Sequence, residues 1–363
     1  MPTPAPTPVR VVVIDDSATM RDLLTSLLRQ DGQIEVVGTG ANGEEAVRLV
    51  KRLRPHVLTL DIQMPRMNGL EAVRQIMREC PLPIVIVSAS QKPHDMDLAF
   101  QALRAGALTI LSKPGLNDPE TSQKLVQTVR LMAGVPVIHH WGRAESQKPA
   151  ANGSLPSQRP PALPARLQNL DAVRLVGIAA STGGPSTVAR VLRDLPPSFP
   201  LPILLVQHFS PGFAGGLAEW LDTQTTIRVE IAAHGDTLRP GVLLMAPDDY
   251  HLQATAQGIV ILSKGPAYKG LRPSANPLFE SLAQHYGPAA LGIVLTGMGD
   301  DGADGLLALR KAGGYTIAQN EESCVVYGMP REAAARQAAD EILPVEQIAA
   351  RLALLAGRGG GGR

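Results

Sequence analysis

Short aliphatic runs that break off at a carboxylate or a hydroxyl recur along this chain, and amphipathic stretches of helical period fill the intervals between them. From Val9 the runs are Val9 to Ile14, Ile34 to Thr39, Val57 to Leu60, Ile84 to Val87 and Ala107 to Leu111. After a gap they resume at Arg174 to Ala179, Ile203 to Val206, Val242 to Ala246, Gly258 to Leu262, Ala290 to Leu295 and Tyr315 to Ala318. Strands that are apolar on both faces and alternate with helices build parallel sheets covered on both sides. The pattern predicts an α/β chain of two doubly wound parallel-sheet domains, the second with helices at Pro185 to Arg193, Gly212 to Leu221, Pro277 to Tyr286, Ala303 to Ala312, Arg331 to Ala338 and Val345 to Leu355.

Between the two sets the periodicity vanishes, and Glu145 to Ala165 are rich in Pro, Ser, Ala, Gln and Asn, a composition that cannot bury enough apolar surface to fold. The expected organisation is a disordered N-terminus at 1–8, a first domain at 9–133, a flexible linker at 134–170, a second domain at 171–356 and a disordered tail at 357–363. A length of 363 residues suits two domains, and with 44% hydrophobic but only 3% aromatic residues the cores must be aliphatic. Cys80 and Cys324 stand alone, offering neither a disulfide framework nor a zinc site. The pair His139-His140 lacks a third ligand nearby. A net charge of +1 argues against a surface devoted to nucleic acid. No run approaches the ~18 apolar residues of a membrane span, and MPTPAPTPVR is no targeting signal, so a cytoplasmic chain without membrane insertion is expected.

In open parallel sheets, functional residues gather at the C-terminal ends of the strands. In the first domain these ends carry Asp15 and Asp16, Asp61, Ser88 and Lys113. Carboxylates crowded at one sheet edge repel one another and call for a cation, and hard oxygen ligands favour Mg²⁺. Asp61, the central acid, is the best-placed nucleophile, and the turn after it could bring the Gln63 carbonyl to the metal. Lys113 would add positive charge for an incoming phosphoryl group. Each acid alone reads better as a helix cap or a solvated loop end; the set of five polar positions on successive strand ends does not.

In the second domain the run Leu175 to Ala180 stops at Ser181 and is followed by Thr182-Gly183-Gly184-Pro185, a strand feeding a tight turn and a helix. The next strand ends in Gln207-His208, and a later one runs into Thr296-Gly297-Met298-Gly299-Asp300-Asp301-Gly302. A hydroxyl, an imidazole and a carboxylate on one sheet edge can meet as nucleophile, base and orienter although far apart in sequence. The plainer alternative makes Ser181-Thr182 a cap for the helix at Pro185, and Asp300 or Asp301 a cap for the helix at Ala303. Two other functions fit poorly. A DNA-binding output would need a basic recognition helix, and a nucleotide loop would need G-x-G-x-x-G spacing that GIAASTGG lacks.

The segments RVVVIDDSATM, VLTLDIQMPRMNGL, IVIVSAS and SKP resemble the phosphoacceptor receiver domain of two-component response regulators. The segments GIAASTGGP, QHFSPGF, LMAPDDYHL, RPSANPLF, VLTGMGDDGADGLLALRKAGG and AQNEESCVVYGMPREA resemble the catalytic domain of the chemotaxis protein-glutamate methylesterases. The resemblance implies a flavodoxin-like receiver followed by a Rossmann-like methylesterase domain. It implies hydrolysis of glutamate γ-methyl esters on methylated chemoreceptors, deamidation of receptor glutamines, and a chemotaxis histidine kinase as phosphodonor. Carried over residue by residue, Asp61 accepts the phosphoryl group; Asp15, Asp16 and Asp61 hold Mg²⁺; Ser88 and Lys113 are the switch residues. Ser181 is the nucleophile, His208 the base, and Asp301 the orienter, because the family's acid directly precedes Gly302. Met298 marks an oxyanion element. Three positions depart from the pattern: Asn68 and Asn276 stand where acids are common, and Ala180 where glycine is. Arg272 is retained and could face acidic receptor helices.

Overall fold

A computed structural model describes residues 7–89, 93–115, 117–135 and 172–356, which form two compact units. The expected linker core with its His139-His140 pair, residues 1–6 and the tail lie outside the described residues.

The first unit alternates strands β1 (Val9–Ile14), β2 (Ile34–Gly40), β3 (Val57–Leu60), β4 (Ile84–Ser88) and β5 (Thr109–Ser112) with helices α1 (Ala18–Arg29), α2 (Gly43–Leu53), α3 (Gly69–Glu79), α4 (Pro93–Arg104) and α5 (Pro119–Met132). The strands pair in parallel in the order β2-β1-β3-β4-β5. β3 and β4 are buried along their whole length, which is why they read as unbroken apolar runs. Strand order reverses between β1 and β3, the place where such sheets open a crevice at their C-terminal edge.

In the second unit, β6 (Leu175–Ala180), β7 (Ile203–Gln207), β8 (Arg228–Ile231), β9 (Val242–Met245), β12 (Ala290–Val294), β13 (Tyr315–Gln319) and β14 (Glu341–Leu343) form one parallel sheet, ordered β14-β13-β12-β6-β7-β9-β8. Its helices are α6 (Gly184–Leu192), α7 (Ala214–Gln224), α8 (Ala275–His285), α9 (Ala303–Lys311), α10 (Met329–Ala335) and α11 (Val345–Ala356). Here the order reverses between β12 and β6. The residues that follow these two strands therefore share one crevice.

Three strands escape the periodicity argument. β8 and β14 are short edge strands with polar residues, and β10 (His251–Ala254) pairs antiparallel with β11 (Val260–Ser263) in a separate two-stranded sheet. The run Gly258 to Leu262, expected with the parallel set, belongs to that hairpin. Phe279 and Leu282 of α8, Leu306 and Leu309 of α9, and Ala179 and Val294 of the central strands belong to one buried apolar cluster. Burying an aliphatic side chain contributes about 1.5–3 kcal/mol, so this cluster anchors the helices whose N-terminal ends meet the crevice.

Candidate active site

The turn after β6 is built so that a hydroxyl is left unused. Gly183, at φ +75°, is the N-cap of α6 and makes no side-chain capping bond. A Cβ there would be strained by the backbone angle and would strike Val325. The helix is thus capped without Ser181 or Thr182, and the capping alternative does not describe this turn. Among the described residues Ser181 Oγ makes no hydrogen bond. Its backbone is fixed instead: Ser181 N–H donates to the Thr296 carbonyl at 3.0 Å, and its own carbonyl accepts from Gly184 N–H at 2.8 Å and from Gln207 Nε2 at 2.7 Å. Ala180 is a buried β6 residue outside the left-handed region, so its methyl brings no backbone strain.

His208 follows β7 directly, its N–H bonded to the Ala180 carbonyl at 3.0 Å, so His208 and Ser181 stand on adjoining strand ends. The ring's Nε2 lies 2.8 Å from Asp301 Oδ2. Asp301 is 1% exposed. Burial alone would raise its carboxyl, but bonds from His208, the Ser274 hydroxyl and Ala275 N–H outweigh that and hold it below the usual carboxylate range. Asp300 faces elsewhere, bonded to Lys269 Nζ at 2.6 Å and Arg336 Nη2 at 2.8 Å. Neither acid caps α9, whose N-cap is Gly302.

Met298 is partly exposed on the turn after β12, and the preceding Gly297 lies against Ser181: a Cβ on it would come within 2.7 Å of Ser181 Cβ. Thr296, wholly buried, ties this turn together. Its Oγ1 lies 3.0 Å from the Thr182 carbonyl and 3.2 Å from the Val326 carbonyl, the two acceptors open to its one proton, and it accepts from Val326 N–H at 2.9 Å. Gln207 Nε2 also reaches the His208 carbonyl at 3.0 Å, so one amide spans the backbones of Ser181 and His208. Sequence reasoning passed over Thr296, Gln207 and Ser274 as site residues. For Ser274 a signal existed, since it is the serine N-cap that opens α8.

Two family departures find structural roles. Asn276 is buried, its Oδ1 accepting from Gly305 N–H at 2.8 Å, so it fastens α8 to α9 and does not face solvent. Asn68 caps α3 in a reciprocal capping box with Glu71. Arg272, expected toward acidic partners, is occupied by Asp249 at 2.6 Å and the Gly265 carbonyl at 3.0 Å.

At the crevice of the first unit, Asp15, Asp16 and Asp61 bring carboxylate oxygens within 4.8 Å of one another. Asp15 and Asp61 are buried and Asp16 is exposed. Lys113 Nζ stands 2.7 Å from both Asp15 Oδ2 and Asp61 Oδ2. Burial pushes the Asp61 carboxyl up, against the pull of Lys113, whereas the two carboxylates raise the Lys113 ammonium although burial opposes its charge. Ser88 is buried at the end of β4, its carbonyl accepting from Lys113 N–H at 3.1 Å. Gln63 directs its side-chain amide to Asp95 Oδ1. An oxygen-only pocket with an exposed member suits a hard divalent cation.

Two switch-point crevices, one acidic and one with a serine and an oriented imidazole on adjoining strand ends, define a response regulator whose output unit is a hydrolase. The sequence matches the CheB methylesterase family over residues 176–352 and the response regulator receiver domain over 11–128. The chain belongs to the CheB family of protein-glutamate methylesterases/protein-glutamine glutaminases with an N-terminal receiver domain. It is 45% identical over 353 residues to protein-glutamate methylesterase/protein-glutamine glutaminase 4 of Geobacter metallireducens, covering 96% of this chain and 99% of that one. It is 42% identical over 352 residues to the corresponding enzyme 1 of Syntrophus aciditrophicus, covering 96% and 99%. The crystal structure of the Thermotoga maritima CheB methylesterase catalytic domain, 37% identical, aligns with 50% of this chain and 98% of that one at a TM-score of 0.49. Among the described residues no helix is long and apolar enough to cross a membrane.

Proposed function

We propose that Ser181, His208 and Asp301 carry out acyl transfer on glutamate γ-methyl esters of chemoreceptors. With Nε2 given to Asp301, the neutral ring keeps its proton on that nitrogen, and Nδ1 is the base. Nδ1 takes the Ser181 proton as Oγ attacks the ester carbonyl. Backbone amides of the turn at Met298 hold the oxyanion. Methanol leaves with the proton returned by His208, and water then cleaves the acyl-enzyme by the same route. On a receptor glutamine the leaving group is ammonia.

The receiver at 9–133 governs this reaction through a linker at 134–170, with the catalytic domain at 171–356. A chemotaxis histidine kinase supplies the phosphoryl group to Asp61. Asp15, Asp16, Asp61 and the Gln63 carbonyl would hold Mg²⁺, which when bound neutralises charge on the transferring phosphoryl group. Lys113 pairs with its oxygens, and Ser88 is the switch hydroxyl. The unphosphorylated receiver covers the Ser181 site and phosphorylation loosens it; the tether keeps the domains at high local concentration. The chain works in the cytoplasm, on the cytoplasmic parts of receptors, without entering the membrane or binding nucleic acid.

The observation that carries this reading is the 2.8 Å contact of His208 Nε2 with buried Asp301, one strand end from Ser181. Methanol release from methylated receptors by wild type and by Ser181→Ala tests it. Release lost only in the variant supports it; equal release moves the nucleophile elsewhere. For the regulation, an Asp61→Asn variant as active as phosphorylated wild type would sink the idea.

A further inference from the structure

Asp301 is held from behind by a residue that the reaction as described does not use. Ser274 is wholly buried, and its Oγ donates to Asp301 Oδ1 at 2.6 Å. The two carboxylate oxygens have separate partners. Oδ2 takes His208 Nε2 at 2.8 Å and Ala275 N–H at 2.7 Å, while Oδ1 takes the Ser274 hydroxyl and, at 3.4 Å, Asn276 N–H. Ser274 has its own anchor: its N–H donates to His251 Nδ1 at 3.1 Å, and His251 Nε2 reaches the Pro266 carbonyl at 3.1 Å.

We infer that Ser274 is a positioning residue for ester hydrolysis, fixing the rotation of Asp301 so that Oδ2 meets His208; this rests on the triad reading above. A hydroxyl has one proton to donate, and this one goes to the carboxylate. Without it, Oδ1 keeps only the 3.4 Å bond to Asn276. The carboxylate then settles toward the backbone amides of α8, and the imidazole loses its fixed tautomer and direction. Ser274 is too deeply buried to touch a receptor, so the loss falls on kcat and not on KM. A misplacement of this kind costs about ten- to hundredfold in rate.

The test measures initial rates of methanol release by full-length enzyme over a range of radiolabelled methylated-receptor concentrations, with receptor in excess, for wild type, Ser181→Ala, Asp301→Asn, Ser274→Ala and the Ser274→Ala/Asp301→Asn double variant. Ser274→Gly, which retains most of a helix cap, is the second hydroxyl deletion should Ser274→Ala fail to fold. Ser274→Thr restores the donor. The expected result is a fall in kcat of about tenfold or more in the hydroxyl deletions with KM within about twofold, recovery in Ser274→Thr, and no further loss when Asp301 is already Asn. Hydroxyl deletions within about twofold of wild type, or an equal loss in both Asp301 backgrounds, overturn the inference. If Ser181→Ala releases methanol as wild type does, the triad reading fails and this inference with it; Ser181-dependent release untouched by Ser274→Ala defeats the inference alone.

Discussion

His208 offers Nε2, not Nδ1, to Asp301, at 2.8 Å from Oδ2. Nε2 must then carry the proton of the neutral ring, and the free lone pair sits on Nδ1, closer to the backbone. Asp301→Asn can present an amide N–H to the same nitrogen, reversing the tautomer and placing the proton where the base is needed. The expected loss in kcat is about 10⁴-fold, the effect of that exchange in a serine triad. Asp300→Asn, which disturbs the Lys269 and Arg336 pairs and leaves the His208 contact alone, should stay within about threefold of wild type. Methanol release by the two variants checks the choice of acid.

The depressed carboxyl of Asp301 also fixes the sign of a pH effect. A group whose folded pKa lies below its unfolded value of about 3.9 contributes stability that is fully present above that value and is lost as pH falls through the folded pKa. The stability that the Asp301 carboxylate gives wild type over Asp301→Asn should therefore shrink as pH falls below about 4. Urea unfolding followed through buried Trp220, in a Trp141→Phe background, reads it. A difference that grows on acidification would contradict the hydrogen-bond account of Asp301.

Much of this architecture is written in the sequence because buried parallel strands must be apolar throughout, and because each run stops where a polar side chain enters the crevice. Ser181, His208, Asp15 and Asp61 announce themselves in this way. β8 and β14 do not, since an edge strand such as Arg228–Ile231 has one side open to water and no need of an apolar run. The supporting shell is harder to read. Thr296, Gln207 and Ser274 act largely through backbone carbonyls and amides, and those partners are decided by where the chain passes in space.

Thr296→Val tests that shell. The swap keeps the shape but removes the hydroxyl that serves Thr182 and Val326, leaving buried backbone groups unpaired at a cost of about 1–3 kcal/mol. The denaturation midpoint should fall accordingly, and kcat should drop by about tenfold as the turn after Ser181 loosens. Unchanged activity in a destabilised variant would limit Thr296 to folding.

Gly297 tests the closeness of the Met298 turn to Ser181. In Gly297→Ala the new methyl would strike the Met329 sulfur and lie 2.7 Å from Ser181 Cβ and 3.2 Å from Ser181 N, so even with Met329 moved aside one backbone must yield. Overpacking of this kind costs about 1–3 kcal/mol. A shift of even 1 Å at the nucleophile lowers kcat by about a hundredfold. The rate at which a serine-directed phosphonate labels Ser181 follows the same displacement without needing receptor substrate. Labelling at the wild-type rate would place the Met298 turn farther from the hydroxyl than the geometry requires.

Lys113 is the cation that neutralises Asp15 and Asp61 when no metal is bound, at 2.7 Å from each. Lys113→Ala removes that charge and leaves two buried carboxylates facing one another beside Asp16. Two opposite consequences follow from one electrostatic change. The metal-free receiver should lose about 3–5 kcal/mol, the cost of stripping a buried charge of its partner. Its affinity for Mg²⁺ should rise by about tenfold or more, because two unit charges some 4 Å apart at an effective dielectric constant of 20 interact by about 4 kcal/mol and the ion no longer competes with an ammonium. Thermal unfolding with and without Mg²⁺ measures both at once: the variant should melt below wild type in chelator and recover disproportionately as Mg²⁺ is added. A variant that melts lower but gains no more from Mg²⁺ than wild type would mean that the ion does not sit among the carboxylates that Lys113 bridges.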